Sequence, residues 1–525
     1  MRLGAVRRLP FVAAACFAVA ALASAVPAAA VDRSLGAGVP KPVVTGAPWT
    51  EAEISSLDAN VDIALATGKA LRGAHVGVYA IDAREGRLLY ERNQDDAFQP
   101  ASTFKLLVGS AALDKLGPGF RFRTDVVANG DVANGVLQGE LVLRGGGDPF
   151  LNAKDLDAAA AAVAAAGIAR ATGGVRIDDS HFEPPGYLPG WNWDDFAYYY
   201  APVVSALTFE ENVVHLTIAP GANPGDAATV TAAPVGVVGR PVEGCQPTAA
   251  VRVLPLATTG AAGAKDTIDV ERERSGCIRV TGAIPAGAKP DTVDAAVVSP
   301  AVYAYDAFAA ALRAHGVATT GLTQIAGPWP DEHRTVLAPN ANAKVVWSHD
   351  SEPLRDALAD LWQPSDNLVA ELLLRQLGFA ANGAPGTTEH GAAFETGWLA
   401  ALGVDTSAIA IVDGSGLSTY DRITPRNLVT ILKHDWDGAN RDVVLDALPI
   451  AGVRGTLKSA YVGTPAEKKI FAKTGSISHV STLAGFAANA KHGAVIFAFQ
   501  VDDWVGEAAA LRDLRGRVLA RFVED

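Results

Sequence analysis

Three short strings carry the residue types of nucleophilic catalysis. In QPASTFKLL (residues 99–107), Ser102 is followed three residues later by Lys105, a spacing no other serine in the chain has. Ser365-Asp366-Asn367 stands at the start of an expected helix, and Lys473-Thr474-Gly475-Ser476 on an expected strand. The SxN and KTG patterns also occur once each. A serine hydroxyl is a poor nucleophile until a neighbouring base takes its proton. Residues three apart share a helix face, so Lys105 can reach the Ser102 oxygen. Lysine is a base only when neutral, which burial or a nearby cation such as Lys473 brings about by lowering its pKa. The N–H groups at a helix start are free to bind an oxyanion, so the Ser102 N–H is one candidate donor and the Ser476 N–H the other. Ser365 can relay a proton to a leaving amine, and Asn367 can hold a substrate amide. Lys473, Thr474 and Ser476, around Gly475, supply a cation and hydroxyls for a terminal carboxylate. Singly, each string also reads as a helix start, an N-cap or a strand end. Together and in this order they point to acyl transfer.

Positioning falls to the elements around them. GAHVGVYAIDAREGRLLYE (73–91) alternates apolar and polar residues about a turn and predicts a β-hairpin. The chain then switches to helical spacing, with Phe104, Leu107, Val108 and Ala111 on one face, Pro100 at the start and Gly117-Pro118-Gly119 at the end. Ser102 is thereby expected in a helix's first turn. From about residue 120 to 330, short Val-rich strands alternate with an Ala-rich helix (Asp155 to Arg170) and an amphipathic one (Ser299 to Val317), and residues 220–290 read as a small all-β insert. Long helices return at Ser351 to Leu361 and Asn367 to Leu377. KIFAKTGSI and GAVIFAFQV then predict strands, and Glu507 to Phe522 a closing amphipathic helix. An Arg-rich face on that last helix allows at most peripheral membrane contact.

Length and charge narrow the classes. At 525 residues the chain exceeds one ordinary core, and with 49% hydrophobic and 19% charged residues it is globular. A formal charge of −13 excludes nucleic acid as the expected partner. Arg2, Arg7 and Arg8, the apolar run from Phe11 to Val26, and Ala28-Ala29-Ala30 form the three parts of an export signal over residues 1–30, so the protein is expected in the periplasm or the extracytoplasmic envelope. Once it is removed, Cys245 and Cys277 are the only cysteines, which suggests one structural disulfide; two buried free thiols are the alternative. No Cys/His spacing suggests a metal site, and no cofactor is expected.

At these strings the sequence resembles the penicillin-recognising serine acyl-transferases. It is most similar to the class C low-molecular-mass penicillin-binding proteins, D-alanyl-D-alanine carboxypeptidase/endopeptidases of the penicillin-binding protein 4 type. The 263 positions between Ser102 and Ser365 carry that choice, since class A β-lactamases place SxN far closer to the serine. The likeness extends through GGGDPFL (145–151), IDDSHF (177–182), PGWNWDDFAYYYAPVVSALT (189–208), DGSGLS (413–418), RGTL (454–457) and AKTGSISHVSTLAGF (472–486). It implies an α/β (α+β) fold: a transpeptidase-like domain, an antiparallel sheet flanked by helices, interrupted by two nested inserts. The implied boundaries are 45–122 and 330–525 for domain I, 123–208 and 292–329 for domain II, and 209–291 for a mostly-β domain III. It further implies acylation of Ser102 by peptidoglycan stem peptides, release of D-Ala, hydrolysis, and covalent trapping by β-lactams. Trp191, Asp194 and Tyr199 fall where the family lines a pocket for the substrate's side chain. Many members carry an arginine directly after DGSGLS; here that position is Thr419, with Arg422 three residues on. The alternatives on the same machinery are a β-lactamase or esterase, and a non-hydrolytic β-lactam- or wall-binding protein.

Overall fold

A computed structural model of the chain describes residue 31 and residues 39–68, 71–184, 186–238, 251–273, 276–324 and 341–525. The expected export signal and Cys245 lie outside the described residues.

An antiparallel five-stranded sheet is drawn from both ends of the sequence. Its order is Ile470–Ile477, Val480–Asn489, Gly493–Asp502, His75–Asp82, Leu88–Arg92. Successive side chains of a strand point to opposite faces, and here both faces are covered. Val495, Phe497, Phe499 and Val501 pack under the helices Glu51–Ala66 and Ala508–Glu524. Ala494, Ile496 and Ala498 pack under the helix Pro425–Asp437, in the same apolar cluster as the helices beside the candidate serine and asparagine. This explains why GAVIFAFQV reads as one continuous apolar run rather than an alternation. The closing helix buries Leu511, Leu514, Val518, Leu519 and Phe522, and even Arg515 is held inside by the Tyr461 hydroxyl at 2.8 Å. No helix among the described residues is long and apolar enough to cross a membrane.

Between these segments lies a seven-stranded sheet with Val136–Gly145 and Arg123–Ala133 at its centre, covered by the helices Ala153–Ala165 and Pro300–Ala314. The strand Lys344–Asp350 pairs with Arg123–Ala133 and so belongs to this sheet, although it follows the segment by about two hundred residues. Smaller sheets spanning residues 213–296 adjoin it and share its apolar core. Cys277, in this part, is buried and disulfide-bonded.

One local expectation changes. Ser102 sits not in an α-turn but in a 3-10 turn, Ala101–Phe104, and the α-helix begins at Lys105 and runs to Leu116. Ala101 enters that turn with φ +43, a left-handed conformation costly for a residue with a Cβ. The helix is buried all round from Lys105 to Leu113, so the face read from its sequence is only part of its contact surface.

Candidate active site

The 3-10 turn places the candidate pair, Ser102 and Lys105. With three residues per turn, side chains at i and i+3 eclipse, and Lys105 Nζ lies 2.9 Å from Ser102 Oγ. Two further acceptors fix the ammonium: Asn367 Oδ1 at 2.5 Å and the Ser415 carbonyl at 2.9 Å. Lys105 is fully buried. Burial pushes its pKa down to about 8, against the opposing pull of Asp413, Asp366 and Glu371.

Asn367 opens the helix Asn367–Asn382. Its side chain spans two chain segments, accepting from Lys105 and donating from Nδ2 to the Tyr200 carbonyl at 2.6 Å. Asp366 caps the same helix by accepting from the Val369 N–H, so an N-cap and a site motif coincide. Ser365 holds φ +71, a second strained non-glycine position at the site. Its hydroxyl accepts from Lys473 Nζ at 2.8 Å. Lys473 is also fully buried, and its pKa is lowered by that burial and then by the charge of Lys105.

Strand alternation explains the KTG string. Phe471 and Lys473 face the helices of the site, and Gly475 follows at the same period. A Cβ at Gly475 would stand 2.1 Å from Thr482 Oγ1, 2.8 Å from the Pro100 carbonyl oxygen and 2.9 Å from the Ser102 nitrogen. Glycine here lets the strand press against the turn that carries the serine. Thr482, paired across the sheet with Gly475, anchors that turn by donating to the Pro100 carbonyl at 2.7 Å. The Ala472 N–H points across the free edge of the sheet to the Pro449 carbonyl. By period two the N–H groups of Thr474 and Ser476 face the same edge. The Thr474 hydroxyl donates to Thr456, and the Ser476 side chain is exposed.

Behind the pair lies a buried acidic core that sequence reasoning did not single out. Asp413 accepts from the N–H groups of Gly416 and Ser418 and from the Trp191 indole at 2.8 Å. Glu371 accepts from the N–H groups of Gly414 and Ser415. These bonds aim the Ser415 carbonyl at Lys105. Burial, then the charge of Asp413, raises Glu371 to about 8 and lifts Asp421 well above the usual carboxylate range. A signal existed in the strings DGSGLS and NLVAELLLR, where acids interrupt apolar runs, but no local rule says which acids meet.

The expected side-chain pocket residues divide. Trp191 is 7% exposed and committed to Asp413, so it locks the 413–418 loop. Asp194 is exposed on the turn Trp193–Ala197, and Tyr199 is half exposed beside Tyr200, where burial raises its pKa and the charge of Asp366 adds to it. Thr419 donates its N–H to the Gly190 carbonyl. Arg422 donates to the carbonyls of Thr419 and Asp421, so its guanidinium closes its own turn.

A buried lysine bonded to a serine, with SxN and KTG residues closing on both, defines a serine hydrolase of the penicillin-binding-protein fold. The chain belongs to the D-Ala-D-Ala carboxypeptidase 3 (S13) family, whose sequence model matches residues 57–520. It is a serine-type D-Ala-D-Ala carboxypeptidase. It is 33% identical over 447 residues to a D-alanyl-D-alanine carboxypeptidase of Actinomadura sp. strain R39, covering 83% of this chain and 79% of the relative. It is 27% identical over 448 residues to the D-alanyl-D-alanine carboxypeptidase DacB of Haemophilus influenzae, covering 84% and 88%. The crystal structure of penicillin binding protein 4 from Haemophilus influenzae superposes with a TM-score of 0.74 at 24% identity, over 90% of this chain and 99% of that one, which shows the shared fold.

Proposed function

We propose that Ser102 is the nucleophile and Lys105 its base in cleavage of the terminal D-Ala–D-Ala bond of peptidoglycan stem peptides. The observation that carries this is the buried Lys105 ammonium, 2.9 Å from Ser102 Oγ, with a pKa of about 8. The Ser102 oxygen attacks the carbonyl carbon while its proton passes to Lys105. The N–H groups of Ser102 and Ser476 hold the oxyanion, a reading supported by the free strand edge beside the serine turn. Collapse breaks the C–N bond. The departing D-Ala amine takes, through Ser365, the proton that Lys105 received, which leaves Lys105 neutral again, while Lys473 Nζ donates to the Ser365 hydroxyl and holds it in place. Water then attacks the acyl-enzyme, giving a proton to the neutral Lys105, which passes it to Ser102 Oγ as the shortened peptide leaves. Asn367 holds the peptide amide, and Lys473, Thr474 and Ser476 bind the terminal carboxylate, with Gly475 providing the close approach. Asp194 and Tyr199 line the side-chain pocket, and Trp191 supports it from behind.

The same acyl-enzyme chemistry serves D-Ala cross-links, giving endopeptidase action, and β-lactams, whose ring carbonyl presents the same electrophile. Residues 1–30 would direct export to the compartment where these substrates lie, and residues 123–329 would form the inserts. Incubation with defined muropeptides, monomeric and cross-linked, with products weighed by mass spectrometry, tests the reading. Loss of one D-Ala by the protein and none by Ser102→Ala is expected; cleavage or penicillin labelling retained in Ser102→Ala overturns it.

A further inference from the structure

Among the described residues, three Trp, Tyr or Phe side chains are exposed by more than a third: Trp193 at 67%, Tyr420 at 61% and Tyr199 at 44%. All three stand on the two segments that meet beside the serine. Tyr199 is accounted for by the peptide pocket, but Trp193 and Tyr420 play no part in the chemistry above. Large aromatic side chains left open to water beside a site are candidates for contact with a ligand.

Their placement is built. A Cβ on Gly190 would lie 3.0 Å from Tyr420 Cδ2 and 2.4 Å from Ser418 Oγ, so the Tyr420 ring rests on the backbone of the segment that carries Trp193. The Thr419 N–H and hydroxyl both donate to the Gly190 carbonyl at 3.2 Å, and the Tyr420 N–H donates to Ser418 Oγ. Trp193 starts the 3-10 turn Trp193–Ala197, whose N-cap Asn192 donates to Asp195 at 3.2 Å. The exposed carboxylate of Asp194 follows directly. Trp193 is thus flanked along the chain by the exposed polar side chains of Asn192 and Asp194, on a segment whose backbone bears the Tyr420 ring.

We propose that Trp193 and Tyr420 form a saccharide platform at the rim of the site, occupied by the amino-sugar ring next to the stem peptide. This rests on the carboxypeptidase reading, because that peptide hangs from a glycan chain. A pyranose offers a face of C–H bonds to the rings and an equatorial belt of hydroxyls to the exposed Asn192 amide. Two rings are too little surface for a stable protein interface, which needs roughly 800 Å² from each partner. Carboxylates beside them repel anionic lipid headgroups.

Two measurements test the platform. The first compares hydrolysis of a disaccharide-pentapeptide with that of the free pentapeptide. In Trp193→Ala/Tyr420→Ala, kcat/KM for the sugar-bearing substrate falls about tenfold through KM, the scale of losing one aromatic anchor, while the free peptide changes less than about twofold. An equal loss on both substrates, or on neither, overturns the platform. The second titrates Ser102→Ala with peptide-free glycan chains by calorimetry. Binding that disappears with Trp193→Ala supports the proposal, and absence of binding refutes it even where peptide cleavage is intact. Failure of the unaltered protein to cleave either peptide, with glycan binding retained, would instead sink the carboxypeptidase reading alone.

Discussion

The rate of acylation should follow the titration of Lys105. An ordinary lysine of pKa 10.5 is neutral in only about one molecule in 3,000 at pH 7, whereas a pKa of about 8 leaves about one in eleven neutral, a gain of about 300-fold in competent base. The cause is burial, which removes water from the ammonium, while Asp413, Asp366 and Glu371 hold the pKa from falling further. Between pH 7 and pH 9 the neutral fraction rises only about tenfold more and then saturates. Stopped-flow acylation by a fluorescent penicillin, measured from pH 6 to pH 10, should therefore climb with a midpoint near 8 and level off. A flat profile, or one still rising tenfold per unit at pH 10, would refute the assignment of Lys105 as base. Lys473 is also depressed by burial, so its titration must be separated. An arginine does not titrate in this range, and the limb should persist in Lys473→Arg. Its disappearance there would move the base role to Lys473.

Gly475→Ala forces a Cβ against the Pro100 carbonyl and the Ser102 nitrogen, both backbone atoms of the serine turn. Displacement of a reacting group by about 1 Å costs about a hundredfold in rate, so penicillin labelling should slow by that order; a rate within threefold of the unaltered protein would show that the strand and turn are free to part. A different readout follows from Asp435, which is buried against the Ser110 hydroxyl with its pKa raised from 3.8 to about 8. A carboxyl with a raised folded pKa binds more protons folded than unfolded, so stability is fully present below pH 3.8 and is lost as pH rises toward 8. Asp435→Asn removes that loss. Its advantage in stability over the unaltered protein should grow from pH 5 to pH 8 by about 1.4 kcal/mol per pH unit, read as a rising difference in Tm; an advantage independent of pH would count against a buried neutral acid.

Local sequence set several elements almost to the residue. The hairpin expected over 73–91 is His75–Asp82 with Leu88–Arg92, and the helix begun by Ser365-Asp366-Asn367 starts at Asn367. Others needed contacts far away. The close packing of the Ala101–Phe104 turn depends on two other segments: a Cβ on Gly416 would stand 1.9 Å from the Ala101 carbonyl oxygen, and one on Gly475 2.9 Å from the Ser102 nitrogen. The pairing of Lys344–Asp350 with Arg123–Ala133 likewise has no local signature, since register between distant strands is set by the faces they bury.

What the sequence alone determined is the chemistry available. One SxxK, one SxN and one KTG in that order pointed to a candidate nucleophile, a candidate base and their helpers, because each string is contiguous and its spacing fixes a shared face. Tertiary structure decided how those groups behave. The Lys105 pKa is lowered because the side chain is wholly buried, and its Nζ is held in place because Glu371 and Asp413 orient the loop that offers the Ser415 carbonyl. It also divided the aromatics around Gly190, turning Trp191 inward to Asp413 and leaving Trp193 in water. Burial and charge are sums over neighbours from every part of the chain, so no stretch of sequence contains them.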